Sequence, residues 1–115
     1  DLLNIRKKYI KNSQPRSHEV WRNVETAIRS TKNLIKSANI TKKKIHILHI
    51  TTADEVKLLL RNRKYVTFEV TPQHLVLSSP DCYKKIGTYA QMNPPIRGNK
   101  HRAHLRKHLK RAKFM

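Results

Sequence analysis

The chain has 115 residues, with 26 Lys and Arg against 7 Asp and Glu, giving a formal net charge of +19, and 37% of it is hydrophobic. That length allows one domain at most, and apolar periodicity in several stretches argues against wholesale disorder. There is no run of about 18 apolar residues and no charged-then-apolar opening, so neither a membrane span nor a secretion signal is read and a cytoplasmic location is expected.

The charge is uneven. Residues 1–44 hold 12 Lys and Arg, residues 45–96 hold 6, residues 97–115 hold 8, and no Asp or Glu follows Asp81. An excess of this size attracts polyanions through counterion release, so non-specific nucleic-acid binding is one reading of the composition. Sequence-specific recognition has little support, because aromatics make up only 6% of the chain and no Cys/His finger spacing is present. Cys82 is the single cysteine; it has no partner for an internal disulfide and no Cys or His at ligand spacing in SSPDCYKK, so it reads as an ordinary thiol.

In chain order, Leu2, Leu3, Ile5, Tyr9 and Ile10 form a weakly amphipathic opening, and KNSQPRS reads as a loop. Apolar positions from Val20 through Val24, Ala27, Ile28, Leu34, Ile35 and Ala38 predict one long helix, with Ser17 placed to cap it and Asn39 to end it. Lys42, Lys43 and Lys44 then form a solvated turn. Ile45–Ile50 predicts a strand buried on both faces. Thr52 and Glu55 make a Thr-x-x-Glu capping box, opening a helix whose apolar side is Val56, Leu59 and Leu60. Val66–Val70 is the next strand, closed by Thr71-Pro72 because proline cannot extend the ladder. Helix between strands implies a parallel βαβ unit. The segment LVLSSPDCYKKIGTYAQMNPPIRGNK has little periodicity and reads as a functional loop. Residues 97–115 predict a basic, helical tail with Leu105, Leu109 and Ala112 on one side.

Several histidines stand where chemistry is found. On a regular strand, side chains three residues apart alternate to opposite faces, so His46 and His49 would not share a metal. His49 closes its strand at the carboxyl end, where α/β proteins gather their sites; the plainer reading is a hydrogen-bonded structural histidine. His74, just past the second strand, reads as a residue holding a turn. His101, His104 and His108 fall at helical spacing, yet the surrounding Lys and Arg oppose a dication, so a solvated basic helix is preferred to zinc. With Gly87 and Gly98 as the only glycines, there is no Gly-rich phosphate loop.

SHEVWRNVETAIRSTKNLI, IHILHITTADEVKLL, VTFEVTPQHLVL and GTYAQMNPPIRGNKHR, taken in order, resemble successive pieces of a bacterial type I dihydroorotase of the amidohydrolase superfamily. The specificity lies in HILHITTADEV, EVTPQHL and QMNPPIR recurring together at fitting distances. The resemblance implies a zinc-dependent barrel enzyme that interconverts dihydroorotate and N-carbamoyl-aspartate in pyrimidine synthesis. By the same resemblance, His49 matches a metal ligand at the end of the sixth barrel strand, Asn93 a substrate-binding asparagine, and His74 a site-supporting residue of the Thr-Pro-x-His-Leu turn. Asp1 resembles the end of a His-x-Glu-Asp segment whose histidine would lie before this chain begins.

The paired His-x-His, the carboxylate or carboxylated-lysine site and the Asp-His-Ala-Pro-His segment have no counterpart in the sequence. Beyond His104 the likeness fades, as in a decayed frame end or pseudogene. A complete barrel takes about 250 residues, so the expected fold is α/β, a partial (β/α)8 TIM-barrel fragment with about two parallel strands and flanking helices, spanning 1–115. No zinc is expected to be held by this chain alone, and no activity without a complementary polypeptide carrying the missing barrel.

Overall fold

A computed structural model of the chain describes residues 14–109 and 113–114. The elements are α1 (Ser17–Trp21), α2 (Val24–Thr41), β1 (Ile45–Ile47), α3 (Ala53–Arg61), β2 (Val66–Val70), α4 (Pro72–Val76), α5 (Asp81–Ile86), a 3-10 turn (Gly87–Ala90), α6 (Asn99–Lys107) and β3 (Lys113–Phe114). The amphipathic opening Leu2–Ile10 and the match of Asp1 lie outside the described residues.

The three strands form one sheet in the order β1-β2-β3. β1 and β2 pair in parallel, with Ile45 opposite Val66 and Ile47 opposite Phe68, and α3 connects them as a βαβ unit requires. The third strand was not expected from sequence. β3 pairs in parallel with β2, Glu69 opposite Lys113, so among the described residues the basic tail holds a strand as well as the helix α6.

The helix predicted from Ser17 is two helices. Asn23 sits in extended geometry and its side chain accepts the Thr26 N–H at 3.1 Å, which restarts the helix one turn later. The Ser17 hydroxyl is engaged elsewhere, donating to the Gln14 carbonyl at 2.7 Å. At its far end α2 passes Asn39 and stops only at Lys42, whose φ of 56° closes the last turn in the left-handed region.

The strand predicted over Ile45–Ile50 ends at Ile47, and only one of its faces is dry. Ile47, Val66, Phe68 and Val70 pack with Ile35 and Ala38 of α2, Val56 and Leu59 of α3 and Leu105 of α6. Full burial of a leucine such as Leu59 contributes about 1.5–3 kcal/mol, and this layer is the main core. The opposite face carries His46, Thr67 and Glu69: the His46 ring pairs with the Thr67 hydroxyl at 2.7 Å and with the Glu69 carboxylate at 3.1 Å. Alternation along both strands puts these three polar side chains together, so the expectation of two buried faces fails.

After β2, Pro72 takes the first position of α4, where its missing N–H costs nothing. The segment read as a loop is built of short helices around a second small core of Cys82, Tyr83, Ala90 and Ile96. Gly87 leaves α5 at φ 54°, a conformation that disfavours side-chain-bearing residues. Burial raises the Cys82 thiol pKa, in keeping with an unreactive thiol.

Candidate functional site

The carboxyl end of β1 opens onto a cavity of about 440 Å³, lined among others by Arg22, His46, His49, Glu55, Asn93 and Arg97. Each side chain arrives by a different local device. Past Ile47 the chain leaves extended geometry, and His49 adopts φ 44°, a rarely populated conformation for a non-glycine residue. The backbone stays tied to the sheet by the Ile50 N–H, which donates to the Glu69 carbonyl at 2.9 Å. The turn at His49 also breaks the alternation on which the separation of His46 and His49 rested, and both line the same cavity.

The capping box of α3 is the foundation of this end. The Thr52 hydroxyl accepts the Glu55 N–H at 3.1 Å while the Glu55 carboxylate accepts the Thr52 N–H at 3.1 Å. That buried carboxylate also takes hydrogen bonds from the Thr51 N–H, the Thr52 hydroxyl and, at 2.7 Å, the Thr31 hydroxyl of α2. A carboxylate accepts only, so four donors leave it well satisfied.

Arg97 ties three segments together from a buried position. Its Nε donates to the Thr51 hydroxyl at 3.2 Å and its Nη1 to the Arg22 carbonyl at 2.6 Å. Burial lowers its pKa, while Glu55 and Glu19 act in the opposite direction. Arg22 in turn donates to the Asn93 side-chain oxygen at 3.4 Å and lies over the Trp21 ring. His18 reaches the Met92 carbonyl at 2.9 Å, and Ser79 donates to Glu19. Thus α1 clamps the 91–97 loop that carries Asn93.

His74 does not line the cavity but fixes that same loop from below. Its Nε2 donates to the Pro94 carbonyl at 3.0 Å, and its Nδ1 pairs with the Thr71 hydroxyl at 2.6 Å. With Nε2 as donor, a neutral ring accepts the Thr71 proton at Nδ1, and burial pushes its pKa down, favouring that form. Arg97, Arg22 and the supporting role of Glu55 were not singled out from sequence. Arg97 stood inside QMNPPIR and Glu55 inside the capping box, but their convergence depends on how the loops fold back.

The residues of the second histidine cluster part company. His101 faces inward, its Nδ1 accepting the Ala53 N–H at 3.0 Å at the start of α3. His104 and His108 lie side by side, ring centroids 4.6 Å apart.

This architecture defines a class: the chain superposes on about a quarter of an amidohydrolase-type TIM barrel. The dihydropyrimidinase of Brevibacillus agri matches with a TM-score of 0.88 and 25% identity, over 96% of this chain and 26% of that one. The L-hydantoinase of Arthrobacter aurescens matches in fold with a TM-score of 0.89, over 94% and 25% respectively. In sequence, the chain is similar to a segment of dihydroorotases. It is 39% identical to that of Pyrococcus furiosus over 83 residues, 71% of this chain, and 43% identical to that of Methanothermobacter thermautotrophicus over 53 residues, 46% of this chain. The chain spans 12–20% of the length of these curated relatives. No protein-family profile matches it.

Zinc, implied by the resemblance, requires about three protein ligands in a catalytic site. Among the described residues no group of three or more His, Cys, Asp or Glu side chains is placed to hold a metal ion. His46 is turned to Thr67 and Glu69, and the Glu55 oxygens are occupied by four donors. The described residues therefore do not by themselves make up a zinc site. None of their helices is long and apolar enough to cross a membrane.

Proposed function

We propose that this chain forms one wall of a dihydroorotase-type site in cytoplasmic pyrimidine synthesis and is inactive without residues supplied from beyond the described segment. The observation that carries this reading is the shared cavity, in which His49 and Asn93 meet Arg22 and Arg97 at the carboxyl end of β1. Such a wall suits an anionic cyclic amide: Arg22 and Arg97 favour the substrate carboxylate electrostatically, Asn93 offers an amide to orient the ring, and His49 is one inherited ligand. Hydrolysis adds water across the ring C–N bond, and ring closure reverses it. A zinc ion would polarise the carbonyl and activate the water, but its other ligands must come from elsewhere, in the same or a complementary polypeptide.

The test is turnover of dihydroorotate and N-carbamoyl-aspartate with zinc supplied. The 115-residue chain should show none above background. Mixed with a polypeptide carrying the missing ligands, it should recover zinc-dependent turnover that His49→Ala abolishes and Asn93→Ala weakens. Turnover by the chain alone, lost in His49→Ala, would overturn the inactivity; a complement that binds without restoring turnover would overturn the site assignment.

A further inference from the structure

The cavity lies at the carboxyl end of β1; a different surface lies at the amino end of the strands. β1 is preceded by Lys42, Lys43 and Lys44, and β2 by Arg61, Arg63 and Lys64. All six are exposed, and neither loop contains an acid. The parallel register forces the loops together, because Ile45 lies opposite Val66 and the Ile45 N–H donates to the Tyr65 carbonyl at 2.8 Å. Among the described residues none of the six forms an ion pair; the pairs present join Arg16 to Glu19, His46 to Glu69 and Lys57 to Asp54.

One or two cations at a helix C-terminus are ordinary, since they complement the helix dipole. Six on two adjacent segments, Arg61 closing α3 and the others following the helices, without a single counter-charge, exceed that role and create a focused positive potential. We propose that this amino-terminal rim is a docking surface for the phosphate backbone of a nucleic acid, engaged without sequence preference. The chemistry fits a backbone rather than bases: among the described residues five of the six have no ring contact, and Lys64 lies over Tyr65, which is itself half-buried. An anionic lipid surface fits less well, as a membrane-lying helix needs an exposed apolar face beside its cations and this rim is built of two loops. The rim lies at the amino end of the strands, whereas His49, Asn93 and Arg97 line the cavity past the carboxyl end of β1. The proposal does not rest on the dihydroorotase reading.

The experiment titrates the full chain against fluorescent oligo(U) between 50 and 200 mM salt. Replacing Lys42, Lys43 and Lys44 by Ser should weaken binding at least tenfold at the lower salt and flatten the slope of log affinity against log salt by about 2. The Arg63→Ser, Lys64→Ser pair, in the other loop, should give a smaller reduction in the same direction. The control removes equal charge elsewhere, with Lys84, Lys85 and Lys100 changed to Ser, and should cost less than threefold. Equal losses in the rim and control variants would mean that charge acts diffusely and would overturn the proposal. So would tighter binding to phosphatidylserine vesicles than to oligo(U) at matched phosphate concentration, or RNA binding that survives combined replacement of Lys42, Lys43, Lys44, Arg63 and Lys64.

Discussion

The two faces of the small sheet contrast sharply. Toward α2, α3 and α6 it presents Ile47, Val66, Phe68 and Val70 to a dry core. On the other side it presents His46, Thr67 and Glu69, linked to one another by side-chain hydrogen bonds. In a (β/α)8 barrel the helices form the outer ring, so the face opposite them looks toward the axis. The lesson is that a quarter of such a barrel keeps a complete layer of helix on strand while its inner face is polar enough to meet water. A barrel piece with two apolar faces would have no such tolerance.

The largest effect that tests this contrast is on the dry face. Phe68→Ala should destabilise the chain by about 3–5 kcal/mol, because a buried ring is lost among packed neighbours that fill the gap only in part. Denaturant unfolding measures it, and a loss below about 1 kcal/mol would mean that the helices do not depend on this face.

A smaller effect should appear with pH. His101 accepts the Ala53 N–H, a role open only to a ring nitrogen without a proton, and burial lowers its pKa from the ordinary 6.5, with Arg97 acting in the same direction. The unfolded chain therefore takes up the proton more readily than the folded one. Stability should be full above about pH 6.5 and fall as the pH drops from there through the folded-state value; His74, also lowered by burial, acts in the same sense. His101→Gln should flatten this acid limb relative to the parent chain, and an unchanged limb would show that the α3–α6 contact does not depend on the neutral ring.

The smallest effect belongs to the polar face. Thr67 is exposed, so Thr67→Ala, which removes its bond to His46, should cost about 0.5 kcal/mol or less. A cost rivalling that of Phe68→Ala would erase the distinction between the two faces.

Local signals were legible wherever their cause was local. The capping box at Thr52 and Glu55, the strand Val66–Val70 and the stop at Pro72 each depend on a few consecutive residues, and the structure shows each of them. Competition between neighbours was harder to read: Asn23 outweighs Ser17 as a cap, and Lys42 rather than Asn39 closes α2. His49 escaped the alternation rule because a single backbone rotation past Ile47 cancels it.

From the sequence by itself come the α/β character, the βαβ unit and the likeness to a dihydroorotase segment, all carried by apolar periodicity and short motifs that act within a few residues. Tertiary structure alone decided that Arg97 joins Thr51 to Arg22, that His74 supports the Pro94 carbonyl, that β3 adds beside β2, and that Lys44 and Lys64 share one rim. Those contacts join residues 20 to 75 positions apart, and no local propensity encodes such pairings. They follow only once the sheet register and the packing of helices against it bring distant loops to the same end of the strands.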